Sequence, residues 1–271
     1  MKILVLGSEG QIGKPLVIHL MNQGHTVANF DKVNNSEQDL SKFVNLESLI
    51  KWCTWADKVI FLAFEVGGSK FLSKVDKDFQ YIQENTLLMA YTFRALNRTK
   101  TPFLFTSSQM TNMHHTNYGF LKDLGERYTR SLGGWVCRFW NVFGVETCSE
   151  EKTHVITDFI NQAKAGSINM RTDGEEMRQF LHVQDCVEAL EGWVNDEWDD
   201  KDQYYDITSF KWTSIKAVAK IVANSISTPV EVNPGEGGDS LQMGIKNEPD
   251  TYIHKFWKPK LTLKQGIQKV L

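Results

Sequence analysis

A chain of 271 residues is long enough to bury a substantial core without disulfide or metal staples. With 23% charged residues and a formal charge of -3, it has neither the basic field of a nucleic-acid binder nor the acidic excess of a disordered chain, so the expected partner is a small molecule. No run approaches the roughly 20 apolar residues of a membrane-spanning helix, and the N-terminal apolar run stops at Gly7, too short for a signal sequence. The cysteines Cys53, Cys137, Cys148 and Cys186 lack C-x-x-C spacing, so no metal site is expected and they read as reduced thiols of a cytoplasmic protein.

Short apolar runs alternate with helical patterns through the first half: residues 2–6, 15–22, 26–30, 46–53, 58–62 and 81–96. Buried strands over 103–106 and 134–139 continue the rhythm, with a helix over 118–131 between them. This βαβ alternation predicts an α/β fold, a Rossmann-type doubly wound parallel sheet. Beyond Gly144 the pattern loosens into a helix over 155–165, a strand near 167–170, and helices over 183–194 and 214–223. The expected organisation is a dinucleotide-binding domain over 1–144 and a smaller substrate-binding lobe over 145–271, with segments of the lobe returning to the first domain.

The first strand runs directly into Gly7-Ser8-Glu9-Gly10-Gln11-Ile12-Gly13, which opens a helix. Glycines serve there for a tight turn, for close approach of a pyrophosphate and for close helix-strand packing, while the helix N-terminus offers free N–H groups to phosphate. Asp31 ends the second apolar run, where its carboxylate can accept bonds from both ribose hydroxyls and repel a 2′-phosphate. NAD is therefore the expected cofactor, and Lys32 beside it leaves NADP open.

Tyr118 and Lys122 stand at i and i+4, one turn apart on one helix face. A phenol is a poor base near neutrality, and a lysine beside it is expected to favour the phenolate and to reach the nicotinamide ribose. Ser107 and Ser108, at the end of the 103–106 strand, offer a hydroxyl to a substrate oxygen. Ser108, Tyr118 and Lys122 are thus the catalytic candidates for proton transfer coupled to hydride transfer. His114 and His115, in the short spacer before Tyr118, could face the substrate.

In these motifs the chain resembles the extended short-chain dehydrogenase/reductase family, specifically its NAD-dependent epimerase/dehydratase branch acting on nucleotide sugars. Residues 61–68 look like the loop after the family's fourth strand, and Asn85 is placed like an asparagine that supports the central helix. The segment Arg138-Phe-Trp-Asn141-Val-Phe-Gly144 resembles R-x-x-N-V-Y-G, and Arg178-Gln-Phe-Leu-His-Val-Gln-Asp185 resembles R-D-F-I-H-V-x-D. Residues 256–266 look like the branch's closing structural signature. The resemblance implies that Asp39, Leu40, Leu62, Ala63 and Phe64 join Gly7, Gly10, Gln11, Ile12, Gly13, Asp31, Lys32, Tyr118 and Lys122 around the cofactor. It assigns Val66, Gln109, Met110, Asn141, Val155 and Arg178 to the nucleotide-sugar substrate, with Arg178 on its diphosphate. It also implies a homodimer joined through the helices that start near Tyr81 and Tyr118.

Two departures narrow these implications. Gln109 and Met110 occupy positions where the 4,6-dehydratases place an Asp-Glu pair, and neither shuttles a proton. In Asn233-Pro-Gly-Glu-Gly-Gly-Asp239 an asparagine stands where a second diphosphate-binding arginine is usual. The expected activity is NAD-dependent epimerisation of a sugar nucleotide, in which hydride leaves and returns. The second reading is reduction of a keto-sugar nucleotide, and the third is a non-catalytic dinucleotide sensor.

Overall fold

The computed structural model describes residues 1–146, 149–237 and 247–271. Cys148 and the Gly238-Asp239 end of the asparagine-bearing segment lie outside the described residues.

Lys2–Leu6 (β1) buries Ile3, Leu4, Val5 and Leu6 completely, which requires cover on both faces of the strand. Later elements of the chain supply that cover. Gly13–Asn22 (α1) leads to Thr26–Phe30 (β2), Leu46–Trp55 (α2) to Lys58–Phe61 (β3), and Ser69–Val75 (α3) with Phe79–Thr99 (α4) to Phe103–Ser108 (β4). Asn117–Ser131 (α5) then precedes Trp135–Phe139 (β5) and Asn141–Phe143 (β6). The second half contributes Val155–Lys164 (α6), Ser167–Asn169 (β7), Met177–His182 (β8), Val183–Val194 (α7) and Tyr205–Ile207 (β9). Trp212–Ser214 (β10), Ile215–Ala223 (α8), Glu231–Asn233 (β11) and Leu263–Val270 (α9) complete it.

Six parallel strands form the main sheet in the order β2-β1-β3-β4-β5-β9. The strand order reverses between β1 and β3, and a crevice opens there beyond the carboxyl ends of the strands. One core cluster joins α1 and α7 to one face of the sheet, and a second joins α2, α4 and α5 to the other. A three-stranded sheet β10-β8-β6 and the pair β11-β7 lie outside it, with α6 and α8 around a third cluster. No helix among the described residues is long and apolar enough to cross a membrane.

The loop resembling the one after a fourth strand follows β3, the third strand here. Between β2 and α2 the chain forms only the short 3-10 turns Ser36–Gln38 and Phe43–Asn45. Local side chains explain this: Asp31 accepts from the Val33 N–H, Asn35 from Glu37 and Asp39 from Ser41, holding the backbone in turns. β2 is consequently the edge of the sheet.

Caps set the helix ends that apolar spacing misjudges. Asp78 accepts from the Tyr81 N–H and starts α4 before the expected position, and Thr116 accepts from Gly119 and starts α5. The 256–266 segment ends in a capping box, where Thr262 and Gln265 satisfy each other at the head of α9. At the far end of α7, the buried Lys58 ammonium donates to the carbonyls of Trp193 and Val194 and pairs with Asp196, tying the first half of the chain to the second.

His182 caps α7 by accepting from the Gln184 N–H through Nδ1, a bond that requires the unprotonated nitrogen. Burial, and then the nearby Lys269, lower its pKa from 6.5 to about 4. Between these values the unfolded chain binds more protons than the folded one, so this group's contribution to stability is lost as pH falls from 6.5 through 4. His182→Asn, which keeps an oxygen acceptor for the cap, is expected to lose less stability than the wild type between pH 7 and 4.5 in urea unfolding. Equal losses in the two proteins would remove His182 from the acid response.

Candidate active site

A cavity of about 1000 Å³ runs from the carboxyl ends of β1, β3 and β4 toward α6 and β8. At its dinucleotide end Gly7 adopts φ +85°, and a Cβ there would come within 2.7 Å of Ala63. A Cβ on Gly13 would lie 2.1 Å from the Gly7 carbonyl oxygen, so helix and strand close only with glycine. Gly10 is different: its nearest such contact is an ordinary 3.4 Å, and no packing among the described residues requires its missing side chain. Space above it suits the close approach of a phosphate. The head of α1 has no side-chain cap, and the buried Gln11 Nε2 and Ser107 Oγ on the cavity wall have no partner among the described residues. These free donors fit a bound dinucleotide.

Asp31 accepts from the backbone N–H groups of Glu9 and Val33, which aims its carboxylate at the adenosine end of the cavity. Lys32 reaches Glu65 at 3.7 Å, and Glu65 also pairs with Lys152. The cation that leaves NADP open is thereby engaged by a carboxylate. Burial raises the pKa of Asp39, but bonds from the Ser41 hydroxyl and N–H outweigh it and leave the carboxyl lowered. Leu40, Leu62, Ala63 and Phe64 complete this wall, and Ile12 joins the loop at the head of α1.

Ser108 ends β4 and Tyr118 lies in the first turn of α5, where a side-chain hydrogen bond links them. Ser108 also accepts from the Met110 N–H at 3.2 Å. Burial raises the Tyr118 phenol to about 12, and the Ser108 bond only moderates this. Lys122 is buried beneath it, donates to the Thr106 carbonyl at 2.9 Å and lies 3.9 Å from the Phe64 ring centroid. Burial lowers its pKa to about 7, with Cys137 and Glu126 acting in the opposite direction. The expected lowering of the phenol by the lysine is therefore reversed here: Lys122 is 6.0 Å from the Tyr118 ring centroid, and desolvation governs both groups.

The substrate candidates Val66, Gln109, Met110, Asn141, Val155 and Arg178 line the same cavity as the cofactor and catalytic candidates. Gln109 is held by Asn247, and Asn141 donates to the Gln179 carbonyl at 3.1 Å. Arg178 sits on β8 and donates to the Met177 carbonyl. Asn85 on α4 grips the backbone of Glu65 in both directions, fixing the loop after β3 rather than bracing the helix alone. His114 pairs with Asp123 at 3.4 Å, and neither it nor His115 lines the cavity. Asn233 bonds Asn169 and also lies off the wall.

Several cavity residues carry no motif. Arg171 lines the cavity with no hydrogen bond or ion pair of its side chain among the described residues. Lys152 and a Glu146–His154 pair line it as well. For Glu146, Lys152 and His154 the sequence signal is a cluster of charges between residues 146 and 154, a region without periodicity, and Arg171 stands outside it.

Residues 3–204 match the model of the NAD dependent epimerase/dehydratase family. A Methanocaldococcus jannaschii protein named for UDP-glucose 4-epimerase is 28% identical over 165 residues, 57% of this chain and 52% of the relative. The matched stretch thus spans about half the length of that relative. The UDP-glucose 4-epimerase of Thermus thermophilus, solved with NAD, superposes with a TM-score of 0.81 at 18% identity over 100% of this chain and 97% of that one. A GDP-6-OMe-4-keto-L-xylo-heptose reductase from C. jejuni gives 0.82 at 18% identity over 99% and 96%. At such identities these structures speak for the fold.

Proposed function

The chain belongs to the NAD dependent epimerase/dehydratase family, and given that membership we propose that it is an NAD-dependent sugar-nucleotide epimerase. Its cofactor is NAD. The observation that carries the reading is the single cavity that joins the glycine loop to Ser108, Tyr118 and Lys122 and continues to Asn141 and Arg178. Gln109 and Met110 supply no titratable group for eliminating water, which favours a reaction without dehydration.

When bound, NAD supplies a reversible hydride acceptor and a positive charge. Tyr118 is the proton carrier. Burial keeps it a phenol at neutral pH, so to accept the sugar hydroxyl proton it would first have to pass its own proton to solvent, an ionisation that the positive charge of bound NAD would favour. Ser108 shares its hydrogen bond and orients the reacting oxygen. Lys122 spends one N–H on Thr106 and keeps its remaining donors for the cavity. The sugar carbon loses a hydride while its oxygen loses a proton, the carbonyl presents its other face, and both are returned, so net redox is zero. Arg178 offers a guanidinium fork to the diphosphate.

Keto-sugar reduction would use the same residues and consume a reduced dinucleotide each turnover. The two are separated by purifying the protein without added cofactor, denaturing it and assaying the supernatant. Near-stoichiometric NAD(H) is the expected result, and an empty site exchanging NADH or NADPH would overturn the epimerase. Within the same proposal, residues 1–144 mainly bind NAD, 145–271 mainly bind substrate, and α4 and α5 join two copies, leaving Phe120 and Tyr128 exposed on the single chain. Light scattering of that preparation is expected to give about twice the 31.0 kDa chain mass, and a monomer would remove the dimer.

A further inference from the structure

Lys122 is 4% exposed, and its charge has no counter-ion among the described residues. Burial disfavours that charge, and the two titratable groups that oppose burial are Cys137 on β5 and Glu126 on α5. Burial also holds the Cys137 thiol well above its ordinary range, so it is neutral near neutrality. Glu126 is spent on both arms of Arg138, at 2.8 and 2.7 Å. Tyr118, one turn back on α5, is a phenol. From β4 come a single acceptor, the Thr106 carbonyl at 2.9 Å, and the Phe105 ring.

What remains is Phe64. Its ring centroid is 3.9 Å from the Lys122 Nζ, against 5.1 Å for Phe105 and 6.0 Å for Tyr118. An aromatic face is the negative side of the ring quadrupole, and it attracts a cation most strongly where water is excluded. The backbone holds this ring from both sides. The N–H groups of Leu62 and Ala63 donate to the Leu6 carbonyl, and that of Glu65 donates to the buried Asn85 side chain. The Tyr118 ring stands at 79° to the same ring, with centroids 5.7 Å apart. Phe64 thus meets both members of the i, i+4 pair at the cavity wall. An aliphatic side chain would fill the space and leave the ammonium on one carbonyl and the more distant Phe105 face.

We propose that the Phe64 ring stands in for a counter-ion to Lys122, holding it as an ammonium whose N–H groups not given to Thr106 remain donors toward the cavity. Phe64 is a positioning residue that acts through Lys122, and for its effect on turnover the assignment rests on the hydride-transfer reading above. The test titrates Lys122 in the purified protein, by trace acetylation with acetic anhydride across a pH series and mass spectrometry of the Lys122 peptide. Removing the ring face disfavours the charged form. Phe64→Leu, which keeps apolar bulk, is therefore expected to lower the Lys122 titration by about one pH unit, roughly a tenfold loss of proton affinity. The alkaline limb of kcat is expected to move down with it. Phe64→Tyr keeps the face and is expected to titrate like the wild type. Phe64→pentafluorophenylalanine keeps the ring shape but reverses its charge distribution, so it is expected to follow Phe64→Leu, and it serves as the test should the leucine variant fail to fold. An unmoved Lys122 titration without the ring face, or an equal shift in Phe64→Tyr, would show a packing role alone and overturn the assignment. Titrations that shift as expected in a protein that turns over no sugar nucleotide would uphold the Phe64 contact and remove the hydride reading.

Discussion

Tyr118→Phe is expected to lower kcat by about 10²- to 10⁴-fold while the protein keeps its NAD and its thermal stability. The substitution removes only the hydroxyl, and the ring that meets Phe64 edge-on at 5.7 Å remains. The lost oxygen is the one bonded to Ser108 and pushed up to about 12 by burial, so no neighbouring group is placed to assume its proton. Lys122, the nearest candidate, faces Phe64 and Thr106. The measurements are turnover on candidate sugar nucleotides, NAD released on denaturation, and Tm. An unchanged kcat would sink the hydride mechanism and return the chain to the sensor reading.

Glu126→Ala is expected to cost about 3–5 kcal/mol of stability, the largest loss anticipated for a single change outside the cavity. Glu126 is 2% exposed and receives both arms of Arg138, Nε at 2.8 Å and NH2 at 2.7 Å. Arg138 also lies 3.8 Å from the Tyr204 ring centroid. Truncating the carboxylate leaves a guanidinium largely buried without its counter-charge, whereas Glu126→Leu with Arg138→Met removes both charges and is expected to be milder than either single change. Glu126 sits one helical turn beyond Lys122 on α5, so activity should fall with stability. Urea unfolding of the singles and the double tests this, and additive losses would refute a coupled pair.

The arginine of that pair was visible in the sequence as the first letter of a motif, but its partner was not, because twelve residues and a helix-to-strand turn separate them. The same distinction runs through the molecule. The glycine loop, Asp31 and the Tyr118–Lys122 spacing were legible because each depends on a strand end or a helix turn within a few residues. The strands β6, β9, β10 and β11 have three residues each, too short for alternation to register, and tertiary pairing alone defines them. The resemblance numbered the strand ahead of residues 61–68 as a fourth, whereas it is the third here, and Asn and Asp turns fill the chain between β2 and α2. The inverted acidities of Tyr118 and Lys122 were illegible for another reason: they arise from Phe64, Phe105 and burial, elements brought together only by the sheet.

The main sheet borrows β9 and α7 from after residue 145, and this sets a timetable for a chain that emerges N-terminus first. When β5 is complete at residue 139, one sheet face still lacks the helix whose Val187, Leu190, Trp193 and Val194 will cover it. Ribosomes add about 5–20 residues per second, so roughly 3–14 s pass before residue 207 closes the edge. Through that interval the nascent half presents a bare apolar face and an unpaired strand, the pattern that recruits chaperones and invites aggregation.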